Sequence, residues 1–167
     1  EGTALIREYL RSDSYIMFSA ACQTALEMPG EQVTQALTAE LKQLPADNKI
    51  LVIWTLGKRG DPAAIPALSA AANDGEKSVR IAAIKAMPEI GHASAVPVLV
   101  DLLGDNDGQI SQAAQEALAA ISGDEADAAI MAMLNSGETA PRLLALELIG
   151  RRRMDKSVPA LLEAAAG

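Results

Sequence analysis

Ser78-Val-Arg-Ile-Ala-Ala-Ile-Lys-Ala-Met87 and Ala95-Val-Pro-Val-Leu-Val-Asp-Leu-Leu103 each carry the apolar spacing of a helix. In the first, Val79, Ala83, Ala86 and Met87, with Ile84 and Ile90 alongside, recur at helical spacing. Ser78 or the acidic residues ahead of it can cap its start, and Pro88 with Gly91 reads as its end. In the second, Pro97 falls in the first turn of a helix, where a missing N–H leaves no intrahelical bond unmade. Gly104-Asp-Asn-Asp-Gly108 then turns the chain onward. Glu76 to Asp105 is therefore a helical hairpin.

The hairpin recurs along the chain. Ile6, Leu37, Leu68, Leu99, Ile130 and Leu161 stand 31 residues apart without insertion or deletion. Leu56, Met87, Leu118 and Ile149 keep the same interval, as do Val52, Ala83, Ala114 and Ala145. A period of this size means a stacked array, in which each unit buries its face only against its neighbours. The template lays a half unit over 1–13, with Thr3 to Leu10 as its helix. Full units follow over 14–45, 46–75, 76–105, 106–137 and 138–167. First helices are expected near Ser14–Met28, Asn48–Leu56, Ser78–Met87, Gln109–Ile121 and Ala140–Gly150. Second helices are expected near Gln32–Leu44, Ala63–Ala72, Ala95–Leu103, Ala126–Leu134 and Ser157–Ala165. Alanine in the inner columns lets helices approach closely, and the bulky aliphatics fill the layer between units.

Composition agrees. Half of the residues are hydrophobic, yet the only aromatics are Tyr9, Tyr15, Phe18 and Trp54, all in the first third. A core of Ala, Leu, Ile, Val and Met favours packed helices over a sheet. The net charge of −8 argues against nucleic acid and anionic membranes as partners. No run approaches the ~18–20 apolar residues of a membrane span, so no membrane insertion is expected. The single cysteine, Cys22, excludes an internal disulfide and reads as a small buried packing residue. Nothing in the sequence points to one compartment, cytoplasmic or exported. Both ends read as cuts inside a longer protein, because neither shows the polar outer face of a capping repeat.

Leu56-Gly-Lys-Arg-Gly-Asp-Pro-Ala-Ala-Ile-Pro-Ala-Leu68 followed by Ser78-Val-Arg-Ile-Ala-Ala-Ile-Lys-Ala-Met87 resembles HEAT repeats. It is similar, more narrowly, to the short HEAT-like subtype of the phycobilisome lyases. That subtype has a Val-Arg step, paired alanines, a Leu-Gly-x-x-Gly-Asp turn and an Ile/Val-Pro-x-Leu helix start. The fifth unit keeps Arg142, Ile149-Gly150 and Val158-Pro159-Ala-Leu161. The fourth departs from the pattern, with Ile110-Ser111 for Val-Arg and Ala128 for Pro. The resemblance implies a single all-α domain, a right-handed α-α superhelix of the HEAT/armadillo type with about five 31-residue hairpins after a half repeat. For function it implies little, since this architecture hosts scaffolds, lyases, oxygenases and DNA-repair proteins alike.

No residue pattern supplies chemistry, and no catalytic residue, cofactor or metal is assigned. His92 is the only histidine and falls in an inter-helix loop, without the partners a histidine metal site needs. In Asp105-Asn-Asp-Gly-Gln-Ile110 a calcium loop's first and closing ligands would fall on Leu103 and Ala114, so the segment reads as an Asx-rich turn. The di-iron oxygenases among HEAT-like proteins use repeated His-Glu pairs, which are missing here.

What remains is an interaction surface for a protein or peptide, or for other domains of the same chain, on an expected monomer. The inner, concave face is lined by the second helices. Its expected outward columns are Ala36, Ala67, Val98, Ala129, Ala160; Ala39, Ala70, Asp101, Ala132, Glu163; and Thr38, Ser69, Val100, Met131, Leu162. Lys58-Arg59 and Arg151-Arg152-Arg153 fall in matching places and form a basic edge suited to an acidic peptide or phosphate groups, or to cations favoured at helix C-termini by the dipole. Trp54 stands in a column otherwise made of Gln23, Lys85, Glu116 and Glu147, which predicts an outward-facing tryptophan. The first expectation is a non-enzymatic interaction platform. Its alternatives are an accessory or lyase-like domain of a larger enzyme and, less favoured by the charge, a nucleic-acid-binding HEAT-like protein.

Overall fold

The computed structural model describes residues 2–135 and 139–154, which form helices, turns and loops. The half unit supplies α1 (Gly2–Leu10). The following units pair α2 (Tyr15–Glu27) with α3 (Glu31–Leu41), α4 (Ala46–Arg59) with α5 (Ile65–Asn73), α6 (Lys77–Ile90) with α7 (Ala95–Leu102), and α8 (Gly108–Ala120) with α9 (Asp124–Leu134). A short 3-10 turn, Pro62–Ala64, leads into α5, and α10 (Thr139–Arg152) opens the fifth unit. The second helix expected there, Ser157–Ala165, lies outside the described residues.

First helices stack on first helices: α2 on α4, α4 on α6, α6 on α8, and α8 on α10. Second helices form a parallel layer, with α1 on α3, α5 on α7 and α7 on α9. Each second helix also touches the first helix of the next unit, from α1 against α2 to α9 against α10. This is an α-solenoid. The columns that define the period are its core: Leu37, Leu68, Leu99 and Ile130 are wholly buried, and so are Val52, Ala83, Ala114 and Ala145. The small residues set the spacing. A Cβ added at Gly57 of α4 would sit 3.1 Å from Cβ of Ala86 in α6, closer than packed side chains normally allow.

Three local expectations change. Pro88 lies inside α6 and does not end it. Only two residues of helix follow; Gly91, at φ 67°, supplies the stop and returns its N–H to the Met87 carbonyl. The N-cap of α6 is Glu76, one of the acidic residues expected ahead of Ser78, but no side chain caps the helix; the Glu76 carbonyl accepts the first intrahelical bonds, from Val79 and Arg80. Third, the column Ala36, Ala67, Val98, Ala129 turns inward: Ala36 is fully buried and the other three are half-buried. These residues share a stripe with the positions three before and four after, such as Ala95 and Leu102 around Val98. The apolar stripe of each second helix is thus wider than one column.

Candidate functional site

The basic edge divides on inspection. Arg59 turns back onto the end of α2: its guanidinium donates to the carbonyls of Ala25, Met28 (2.8 Å) and Gly30 (3.0 Å), and Nε donates to Oγ1 of Thr34 (3.2 Å). Three periods later Arg152 repeats the arrangement on α8, donating to the carbonyls of Leu118 (3.0 Å) and Ile121 and to Oδ1 of Asp127 (2.5 Å). Asp127 stands in the column of Thr34, and Leu118 and Ile121 stand in those of Ala25 and Met28.

The reason lies in how the first helices end. α4 and α6 close on Gly60 and Gly91 in the left-handed region, at φ 65° and 67°. α2 and α8 instead end on extended residues, Met28 and Ile121, with ψ 123° and 127°. Their terminal carbonyls lack the left-handed cap that turns an N–H back on them, and in both cases an arginine of the next unit supplies the donors. After the glycine-capped helices the same column holds Ile90 and Ile121. Arg59 and Arg152 are therefore committed inside the fold. Of the predicted edge, Lys58, Arg151 and Arg153 are exposed. Lys58 pairs with Glu89 at 2.9 Å and Arg151 with Glu147 at 2.7 Å.

The face of the second helices is formed by Ala39, Ala70, Asp101 and Ala132, all exposed, and by Thr38, Ser69, Val100 and Met131, half-buried beside them. Val98 is half-buried under this face. Ala160, Leu162 and Glu163 lie outside the described residues. Between α3 and α5 the face dips into a hollow of about 310 Å³, lined by Thr38, Leu41, Ala67, Ala70, Ala71 and Val79 together with Lys42, Lys49 and Asp74.

On the other layer, Trp54 is 50% exposed. Its ring borders a cleft between α4 and α6 lined also by Ile50, Ile53, Ala82 and Lys85.

His92 is exposed, its Nδ1 2.9 Å from Oγ of Ser94. The acidic turn is tied into the fold. Oδ1 of Asp105 accepts the N–H of Asp107 (2.8 Å) while Oδ2 meets Arg80, and Asp107 caps α8 by accepting from the Gln109 N–H (2.9 Å) and pairs with Lys77. These bonds hold both carboxyls below their ordinary range: for Asp105 the backbone N–H is the larger cause, for Asp107 the lysine. Among the described residues no group of three or more His, Cys, Asp or Glu side chains is placed to hold a metal. Cys22 is buried, and burial pushes its thiol up to about 11.

Sequence reading missed one buried carboxylate. Glu40 is 5% exposed and is gripped through both oxygens by Arg11, at 2.8 Å and 2.6 Å. The signal was present: Tyr9, Ala71, Leu102, Met133 and Ala164 make up the rest of its column, so a glutamate there is out of pattern. Arg80 was also missed. It donates to the Ala72 carbonyl eight residues back, as the Ser111 hydroxyl does to Leu103 one unit later.

Comparison with known proteins agrees with this geometry. No curated protein matches the sequence. Among solved structures, a chain in the complex of CpcE and CpcF of phycocyanin lyase from Nostoc sp. PCC7120 superposes with a TM-score of 0.58 at 22% identity, covering 88% of this chain and 96% of that one. The Escherichia coli protein YibA superposes at 0.54 and 18% identity, covering 97% of this chain and 63% of its own. Both likenesses concern the fold. The family pattern described as HEAT repeats matches residues 34–119, more than half of the sequence. The chain belongs to the HEAT-repeat family.

Proposed function

We propose that this chain is a protein-interaction platform without chemistry of its own, and that it engages its partner through the face of the second helices. The observation that carries the reading is the ladder of alanines there. Ala39, Ala70 and Ala132 are exposed at equivalent places in three of four successive units, and the exposed Asp101 holds that place in the unit between Ala70 and Ala132. Side chains this small let a partner helix or extended segment bring its backbone close and lose little rotamer freedom on binding. The acidic net charge favours protein over polyanionic partners. An accessory or lyase-like module of a larger enzyme, suggested by the phycocyanin lyase neighbour, would call for a polar pocket on this face. The hollow between α3 and α5 is instead lined mainly by alanine, leucine, valine and threonine, and its charged lining is Lys42, Lys49 and Asp74.

The test places one charge in the ladder. Affinity capture is run with the wild type, Ala70→Glu and Ala132→Glu, with circular dichroism confirming that all three fold alike. A protein retained by the wild type and lost by both variants supports the reading. Retention of the same proteins by all three refutes it.

A further inference from the structure

The Trp54 cleft lies on the first-helix layer and is independent of the second-helix face. α4 and α6 come together at Gly57 and Ala86, and this close approach leaves a hollow of about 280 Å³ beside it, walled by Ile50, Ile53, Trp54 and Ala82. Small-molecule pockets begin at about 300 Å³ and enclose most of their ligand. A shallow hollow below that size suits one large side chain of a longer segment. Trp54, half exposed, is one of its walls and belongs to a residue type enriched at binding hot spots.

The rim supplies the sign. Lys58, Lys85 and Glu89 border the cleft. Glu89 is engaged by Lys58 at 2.9 Å. Lys85 is exposed and makes no ion pair among the described residues. A chain of net charge −8 thus presents a locally positive rim around an apolar floor. The feature belongs to this pitch of the solenoid, since the same column holds Gln23, Glu116 and Glu147 elsewhere. We infer that the cleft docks an acidic segment of a partner protein, with one bulky apolar side chain of that segment against Trp54 and a carboxylate on Lys85.

Trp54 is the only tryptophan, so its emission reports occupancy directly. The probe is a phage-displayed library of random peptides, selected on the folded chain with Trp54→Gln as counter-selection. Selected sequences are then synthesised and titrated. The variants Trp54→Gln and Lys85→Glu copy residues that already stand in this column, so the fold tolerates both. The expected peptides combine Asp or Glu with Phe or Leu and shift Trp54 emission to the blue. They lose about tenfold or more in affinity for Lys85→Glu, and they bind Ala70→Glu unchanged, which separates this cleft from the second-helix face. Selection of no Trp54-dependent peptide, enrichment of basic peptides, or binding that leaves Trp54 emission unmoved overturns the inference. So does self-association of the wild type in sedimentation that Trp54→Gln abolishes, because the occupant would then be a second copy.

Discussion

Replacing Arg59 with isoleucine should loosen the end of α2, and the loss should be recoverable by rebuilding the turn without restoring the arginine. The guanidinium donates to three carbonyls and one hydroxyl at that end. Hydrogen bonds to charged groups contribute about 1.5–3 kcal/mol each, less where water can replace the donor. The Gly30 contact is exposed. Counting only the bonds to Ala25 and Met28, at the low end of that range, the loss is about 3 kcal/mol. Isoleucine, native to this column at Ile90 and Ile121, returns about 1 kcal/mol through apolar burial. The net cost is then about 2 kcal/mol, read as a lower urea midpoint with unchanged m-value and as faster amide exchange in the last turn of α2. The pair Pro29→Gly and Gly30→Asp installs the Gly60-Asp61 turn at equal length, giving α2 the left-handed cap that α4 has. In that background Arg59→Ile should cost about 1 kcal/mol less. An Arg59→Ile variant within about 0.5 kcal/mol of wild type, or an equal loss in both backgrounds, would refute the exchange of arginine for glycine cap.

Arg153 is the described non-glycine residue with positive φ, at 52°, in the column of Gly60 and Gly91. Arg153→Gly should raise stability by about 0.5–1 kcal/mol in thermal or urea unfolding. Cys22, with its thiol pushed up to about 11 by burial, should resist a thiol reagent at pH 8 in the native protein and react at once in denaturant. Glu40 is held below the ordinary carboxylate range, first by its hydrogen bond to Arg11 and then by that cation's charge against an opposing desolvation. Its contribution is present above the unfolded carboxylate pKa of about 4.3 and is lost as pH falls through the lower folded value. Wild type should therefore weaken below about pH 4, and Glu40→Gln should flatten that part of the curve while lowering stability at neutral pH.

Fold and site differ in how far they could be read. Leu68, Leu99 and Ile130 announced the solenoid because an array without insertions puts equal letters in equal places, and the core columns are buried as expected. The residues of interest are those that break their columns: Trp54 among polar positions, Arg59 and Arg152 among isoleucines, Glu40 among apolar positions. The break was visible for each. Its consequence was not, since a long side chain on one column reaches several others. Trp54 projects from the surface, while Arg59, read from its position alone as part of an exposed edge, folds back onto the preceding unit.

The period, the helical hairpins and the identity of the core follow from the order of residues alone, because periodic burial depends only on residue spacing. Tertiary structure decided which charges remain on the surface. The choice between a left-handed glycine and an extended residue at the end of one helix settles whether terminal carbonyls are left for an arginine 31 residues onward. That demand comes from a neighbouring unit, and spacing within a unit carries no trace of it.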